Sequence, residues 1–171
     1  MRGNRGKAWE TQLCVWHDAY RRDGRAYVVK TNPSVKILSA MGRDGTFRGA
    51  FGKAGPPDFI GTVKGRTVVF DAKDTTKSRW PLSDLQRHQA SDLEANHLNG
   101  GLSFVALRHQ MVPYVVPWGP LGGRWLRWNQ GHAKRGEASL DRAWLDEVAT
   151  RMVSDGWLSV VLPTLPFGPT R

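Results

Sequence analysis

Two aspartates and a lysine carry the chemistry that this sequence suggests. They sit in the run Gly55-Pro56-Pro57-Asp58-Phe59-Ile60-Gly61-Thr62-Val63-Lys64-Gly65-Arg66-Thr67-Val68-Val69-Phe70-Asp71-Ala72-Lys73. Polar and apolar residues alternate on both sides of Lys64-Gly65, the pattern of two antiparallel strands joined by a tight turn. If the turn has two residues, Val63 faces Arg66, and the same register sets Asp58 opposite Asp71. The Cβ atoms of such a pair lie about 5 Å apart. Facing carboxylates repel each other, and a divalent cation between them removes the repulsion. Lys73, two residues past Asp71, projects from the same face of the strand. Two carboxylates, a cation and an ammonium on one sheet face are the parts needed to hydrolyse a phosphodiester. A surface hairpin with two hydrated aspartates uses the same residues, and a longer loop or a bulge at Lys64-Gly65 would change the pairing.

The elements that must position these groups follow from periodicity. On one face of the hairpin stand Asp58, Ile60, Thr62, Thr67, Val69 and Asp71; Phe59, Val63, Val68 and Phe70 take the other. Residues 5–22 read as a helix with Trp9, Leu13, Trp16 and Tyr20 along one stripe, Asn4 as N-cap and Asp23-Gly24 as stop. Glu10 lies beside that stripe. A strand follows at 26–31. Residues 32–56 alternate basic and apolar side chains, with short strands on either side of Arg43-Asp44-Gly45, and read as an ordered arm. Beyond the hairpin, Thr75–Arg79 is a basic loop. A helix is predicted over 83–98, with Ser83 and Gln86 as its capping box and Gln89 half-buried toward the sheet. Strands are predicted at 102–108 and 114–116, an irregular Gly/Trp/Arg-rich stretch at 117–136, a helix at 139–155 and an extended tail over 157–171. The order helix, strand, arm, hairpin, helix, strand, strand, helix makes an α/β sandwich with a central mixed sheet.

Composition narrows the class of partner. The chain has 171 residues, with 25 Lys and Arg against 15 Asp and Glu, a net charge of +10. That excess favours a polyanion. It is spread along the sequence, as expected of a charged face on one folded domain spanning 1–171. No basic amphipathic helix or lipidation signal argues for a membrane partner. Cys14 is the only cysteine, which excludes an intramolecular disulfide and a Cys-x-x-Cys zinc site. With no signal-peptide pattern and no apolar run of transmembrane length, a cytoplasmic location is expected. Glu10, Cys14 and His17 share a helix face, but one helix rarely supplies a whole metal site. His88, His97, His109 and His132 show no catalytic pairing. Trp125 and Trp128, beside Arg124 and Arg127, suit either core packing or stacking on bases.

The spacing Pro57-Asp58, twelve residues, Asp71-Ala72-Lys73 resembles the core of the PD-(D/E)XK nucleases. The flanks resemble one family within that group, the RecU Holliday-junction resolvases. They are Asn4-Arg5-Gly6 with Glu10, Trp80-Pro81-Leu82 leading to His88-Gln89, and Gly100-Gly101-Leu102-Ser103-Phe104-Val105. The likeness covers residues 4 to about 107 and weakens after 130.

This resemblance implies a restriction-endonuclease-like fold with a protruding stalk at 32–56. It implies a homodimeric, Mg²⁺-dependent endonuclease, with Mn²⁺ able to substitute, that nicks four-way junctions symmetrically in a bacterial or phage-infected cell. Asp58, Asp71 and Glu10 would hold the metal. Lys73 would contact the scissile phosphate or the attacking water, and Gln89 would border the site. The family usually has Glu where this chain has Asp71, and a polar residue where it has Pro57. Arg5, Lys7, Lys36, Arg43, Arg48, Lys53, Lys77 and Arg79 are the candidate DNA-phosphate contacts. A related nuclease acting on other DNA and a non-catalytic binding module are the rival readings; the intact Asp58, Asp71 and Lys73 argue against the second.

Overall fold

The computed structural model describes residues 3–32, 35–39, 42–46, 48–51 and 55–164, with the side chains of 3–5, 35–37, 51 and 164 outside that description. Helices are α1 (Gly3–Arg22), α2 (Arg87–Leu98), α3 (Trp118–Asn129), α4 (Arg142–Val148) and α5 (Leu158–Val161). The strands are β1 (Tyr27–Lys30), β2 (Val35–Ile37), β3 (Gly49–Phe51), β4 (Phe59–Val63), β5 (Arg66–Thr75), β6 (Arg79–Pro81), β7 (Leu102–His109), β8 (Val112–Pro117), β9 (Ser139–Asp141) and β10 (Thr150–Arg151).

Six strands form one sheet in the order β1-β4-β5-β7-β8-β10. Its neighbours are antiparallel except β5 and β7, which run parallel because the chain crosses over through α2 between them. The sheet is therefore mixed and buried on both faces. On one face α1 and α5 close a core of Trp9, Leu13, Phe59, Phe70, Phe104 and Trp157. The rings of Phe59, Phe70 and Phe104 stack across three strands at centroid spacings of 4.9 and 4.5 Å. His17 is buried here as a neutral imidazole that accepts a hydrogen bond from Trp157 Nε1 (3.0 Å), and burial holds its pKa down to about 4. On the other face α2 and α3 cover Val69, Val105, Leu107 and Val116. No helix among the described residues is long and apolar enough to cross a membrane.

The central hairpin has the expected register. Lys64 (φ 46°) and Gly65 (φ 77°) are both left-handed, the signature of a two-residue type I′ turn, and Val63 pairs with Arg66. Within 32–56, β2 and β3 pair antiparallel with Val35 opposite Phe51.

Several boundaries differ from the expectations. Asn4 lies inside α1 rather than capping it, because the helix starts at Gly3. Residues Leu82–Asp84 form a 3₁₀ turn that lets both Leu82 and Leu85 be buried, so α2 starts at Arg87 and its cap is Gln86, not Ser83. The segment 117–136 is not irregular: it contains α3. Its Pro120 is in the first turn, where a peptide N–H has no helical partner to lose, and Gly122 lets the Trp118 ring pack against the backbone. The helix predicted over 139–155 is broken into β9, α4 and β10. Asp141 ends β9 and caps α4, its Oδ1 accepting from Trp144 N at 3.0 Å. The tail is not extended from 157: α5 and a 3₁₀ turn, Leu162–Thr164, carry Trp157, Leu158 and Val161 into the core. The rest of that tail, 165–171, lies outside the described residues.

Candidate active site

The strand ladder between β4 and β5 ends at the pair Phe59–Phe70, and the next step is made by side chains. The Asp58 N–H donates to Asp71 Oδ1 (3.2 Å), and the Ala72 N–H donates to Asp58 Oδ2 (2.9 Å). Each aspartate is thus fixed to the other strand's backbone where the hairpin opens. Thr31, just past β1, donates its N–H to Asp58 O (2.9 Å) and ties the outer strand to the same point.

The side-chain alternation that points Phe70 toward α1 points Asp71 and Lys73 toward α2. There Gln89 joins them. Its Nε2 donates to Asp71 Oδ1 (2.9 Å), and its Oε1 accepts from Lys73 Nζ (3.0 Å) and from the Gln86 N–H (3.1 Å). Two donors converging on Oε1 fix the orientation of the amide. The first turn of α2 therefore locks the Asp71–Gln89–Lys73 chain.

Asp71 is fully buried, and its Oδ2 has no hydrogen-bond partner among the described residues. Burial pushes its pKa up to about 7; Lys73 opposes the shift and the charge of Asp58 adds to it. A buried carboxylate oxygen without a donor, next to a second carboxylate, fits a cation. Among the described residues no three His, Cys, Asp or Glu side chains cluster as a full metal cage. The two carboxylates are hard oxygen donors that could hold a divalent cation whose remaining ligands are water.

Glu10 stands apart from this pair. Its Oε2 lies 2.7 Å from Lys30 Nζ at the end of β1. This hydrogen bond raises the Lys30 pKa, and Asp58 adds a smaller electrostatic contribution in the same direction. Lys30 was not among the residues singled out from sequence; the signal was a lysine closing an apolar strand that must abut the hairpin. A second pair that periodicity did not single out is Asp74–Arg108, directly opposed on β5 and β7 and joined at 2.6 and 3.2 Å. Its guanidinium stacks over Trp9 at 5.4 Å, so α1 is anchored one residue from Glu10.

The expected phosphate contacts divide. Lys7, Arg43, Arg48 and Lys77 are exposed. Arg79 is occupied within the fold: it pairs with Asp141 and donates to Ser139 Oγ (2.7 Å), Ser139 O and Gly136 O. That bracing of β6 against β9 takes up the guanidinium expected to meet DNA. The side chains of Arg5 and Lys36, and all of Lys53, lie outside the described residues.

The sequence matches the family described as RecU, Recombination protein U, over residues 4–159. The chain belongs to the RecU family. Among curated RecU relatives, the Holliday junction resolvase RecU of Staphylococcus carnosus is 27% identical over 139 residues, covering 75% of this chain and 65% of that protein. The RecU resolvase of Geobacillus thermodenitrificans is 29% identical over 142 residues, covering 77% of this chain and 69% of its own length. The chain thus spans about two thirds of these RecU proteins. Among solved structures, the Holliday junction resolvase Hjc of Archaeoglobus fulgidus aligns with a TM-score of 0.47 and 12% identity, over 82% of this chain and 92% of that one.

Proposed function

We propose that this chain is a metal-dependent endonuclease that resolves four-way DNA junctions, as its curated RecU relatives are named for doing. The observation that supports it most is Asp71 Oδ2, buried and without a hydrogen-bond partner among the described residues, beside Asp58 and within one side chain of Lys73. Asp58 and Asp71 would hold Mg²⁺ or Mn²⁺. When bound, such an ion lowers the pKa of its water and offsets charge at the phosphorus. Lys73, oriented by Gln89, places an ammonium where charge develops on the phosphoryl oxygens. The backbone bonds that fix Asp58 and Asp71 mean that neither must reorganise before reaction.

Glu10 belongs to this reading as a third carboxylate, reached if its pair with Lys30 opens. Lys7, Lys77, Arg43 and Arg48 meet backbone phosphates without reading sequence. The β2–β3 arm acts as a stalk that enters the open junction centre. Paired symmetric nicks require two active sites and one chain supplies one, so the working unit is a homodimer. Such an enzyme acts in the bacterial cytoplasm.

Asp58→Asn and Asp71→Asn test the site. Each should abolish Mg²⁺-dependent cleavage while junction binding, followed by gel shift, remains close to that of the parent. Full cleavage by either variant would remove the assignment.

A further inference from the structure

A cleft of about 570 Å³ opens beside the proposed active site, between the start of α2 and the end of α3. Ser83, Gln86, Arg87, Trp128, Asn129 and Gly131 line it, and none of the residues lining it is acidic. Gln86 links the two places: it lines the cleft, and its peptide N–H bonds the same Gln89 oxygen that accepts Lys73. The two tryptophans at this end of α3 differ. Trp125 is buried and spends its indole N–H on Leu85 O (3.1 Å). Trp128 is half-buried, packs edge-on to Trp125 at 6.1 Å, and has no hydrogen-bond partner for its indole N–H among the described residues. Arg87 is exposed and uses only Nε, on Asn129 Oδ1 (3.0 Å), among the described residues. Its terminal nitrogens remain available as donors.

We propose that this cleft receives one unstacked nucleobase of the DNA strand held at Asp58 and Asp71; the inference rests on the nuclease reading above. An indole face with spare donors from an indole N–H and a guanidinium matches a flat ring whose edge carries carbonyl and ring-nitrogen acceptors. Arg87, the one cation among the lining residues, also suits a phosphate beside that base. Trp128 supplies the stacking surface, and Arg87 holds the edge of the base. A fully stacked duplex holds each base between two neighbours, whereas a pair at an open strand-exchange point lacks a neighbour on one side and is cheaper to open.

The test uses two probes without Mg²⁺: a single-stranded trinucleotide with central 2-aminopurine, and a synthetic four-way junction carrying 2-aminopurine next to the exchange point. Binding should quench the fluorophore in both. Trp128→Phe should keep most of the quenching. Trp128→Ala and Arg87→Gln should lose it and bind the trinucleotide roughly tenfold more weakly. Arg87 is exposed, so its variant decides the matter even if Trp128→Ala folds poorly. A junction that binds every variant equally, with no quenching that depends on Trp128 or Arg87, overturns the cleft and leaves the nuclease reading standing. Trp128-dependent quenching of the trinucleotide by a protein that neither binds nor cuts the junction upholds the cleft and overturns the junction reading.

Discussion

Asp71→Asn should stabilise the metal-free protein while destroying its activity. Asp71 is buried, and its pKa is pushed up from 3.8 to about 7. The folded chain therefore keeps a proton, between about pH 4 and pH 7, that the unfolded chain has released. Stability falls as pH rises through that window, and above pH 7 the full cost of the buried charge is present. A shift of this size corresponds to about 4 kcal/mol at pH 8. Asparagine carries no charge and keeps an oxygen for the Asp58 and Gln89 donors, so it removes most of that cost. For a chain of this size the gain should appear as a Tm roughly 10 °C higher. The assay is urea or thermal unfolding in EDTA at pH 8 and pH 5. At pH 5 the advantage should shrink to under half, because folded Asp71 is then protonated. His17 shifts the opposite way: its pKa is held at about 4, so it costs stability as pH falls from about 6.5. The difference between parent and variant at each pH isolates Asp71 from that background. Mg²⁺ should raise the stability of the parent and not that of the variant. A variant no more stable than the parent at pH 8, or an advantage independent of pH, would mean that the Asp71 carboxylate is not held buried at a cost to the fold.

Lys73→Ala should slow single-turnover cleavage by roughly 100-fold with little change in junction affinity, since its charge is needed in the transition state; an unchanged rate would make Lys73 a bystander. Gln89→Ala should slow the same step by roughly tenfold, as both Asp71 Oδ1 and Lys73 lose their fixed partner. Restoration by Gln89→Asn, which is one methylene shorter and cannot span both partners, would contradict that role. Glu10→Gln should raise the Mg²⁺ concentration needed for half-maximal cleavage, and an unaltered metal titration would confine Glu10 to its pair with Lys30. Replacing the arm, residues 32–56, with a short Gly/Ser turn should weaken junction binding far more than duplex binding at one fixed salt concentration. A junction-to-duplex affinity ratio that survives the replacement would move selectivity to the spacing of two active sites.

The centre of the fold was legible because its signals are local. Alternation and one turn placed Asp58, Asp71 and Lys73, and a type I′ turn at Lys64-Gly65 holds the register that brings the two aspartates together. Gln89 was legible as a half-buried polar residue on the helix line of Leu85, Leu93 and His97. The C-terminal third was not. In α3, Pro120 and three glycines look like loop chemistry, yet Trp118, Leu121, Gly122 and Trp125 form a buried helical stripe. The helical periodicity over 139–155 rests on Leu140, Trp144, Val148 and Met152, but only Trp144 and Val148 share a helix; Leu140 is buried from β9 and Met152 after β10. Trp157, Leu158 and Val161 enter the core beside His17 and Tyr20, a long-range contact that no nearby residue announces. The Glu10–Lys30 pair was hidden for the same reason: it joins a helix to a strand through tertiary packing.

The most direct measurement is cleavage of an end-labelled synthetic four-way junction beside a linear duplex of the same sequence, with Mg²⁺ and with EDTA. Paired nicks are expected at symmetric positions in opposing strands of the junction, dependent on Mg²⁺ and lost in Asp58→Asn, with the duplex left intact. Equal cutting of junction and duplex, or junction cleavage that persists in EDTA or in Asp58→Asn, would contradict this expectation.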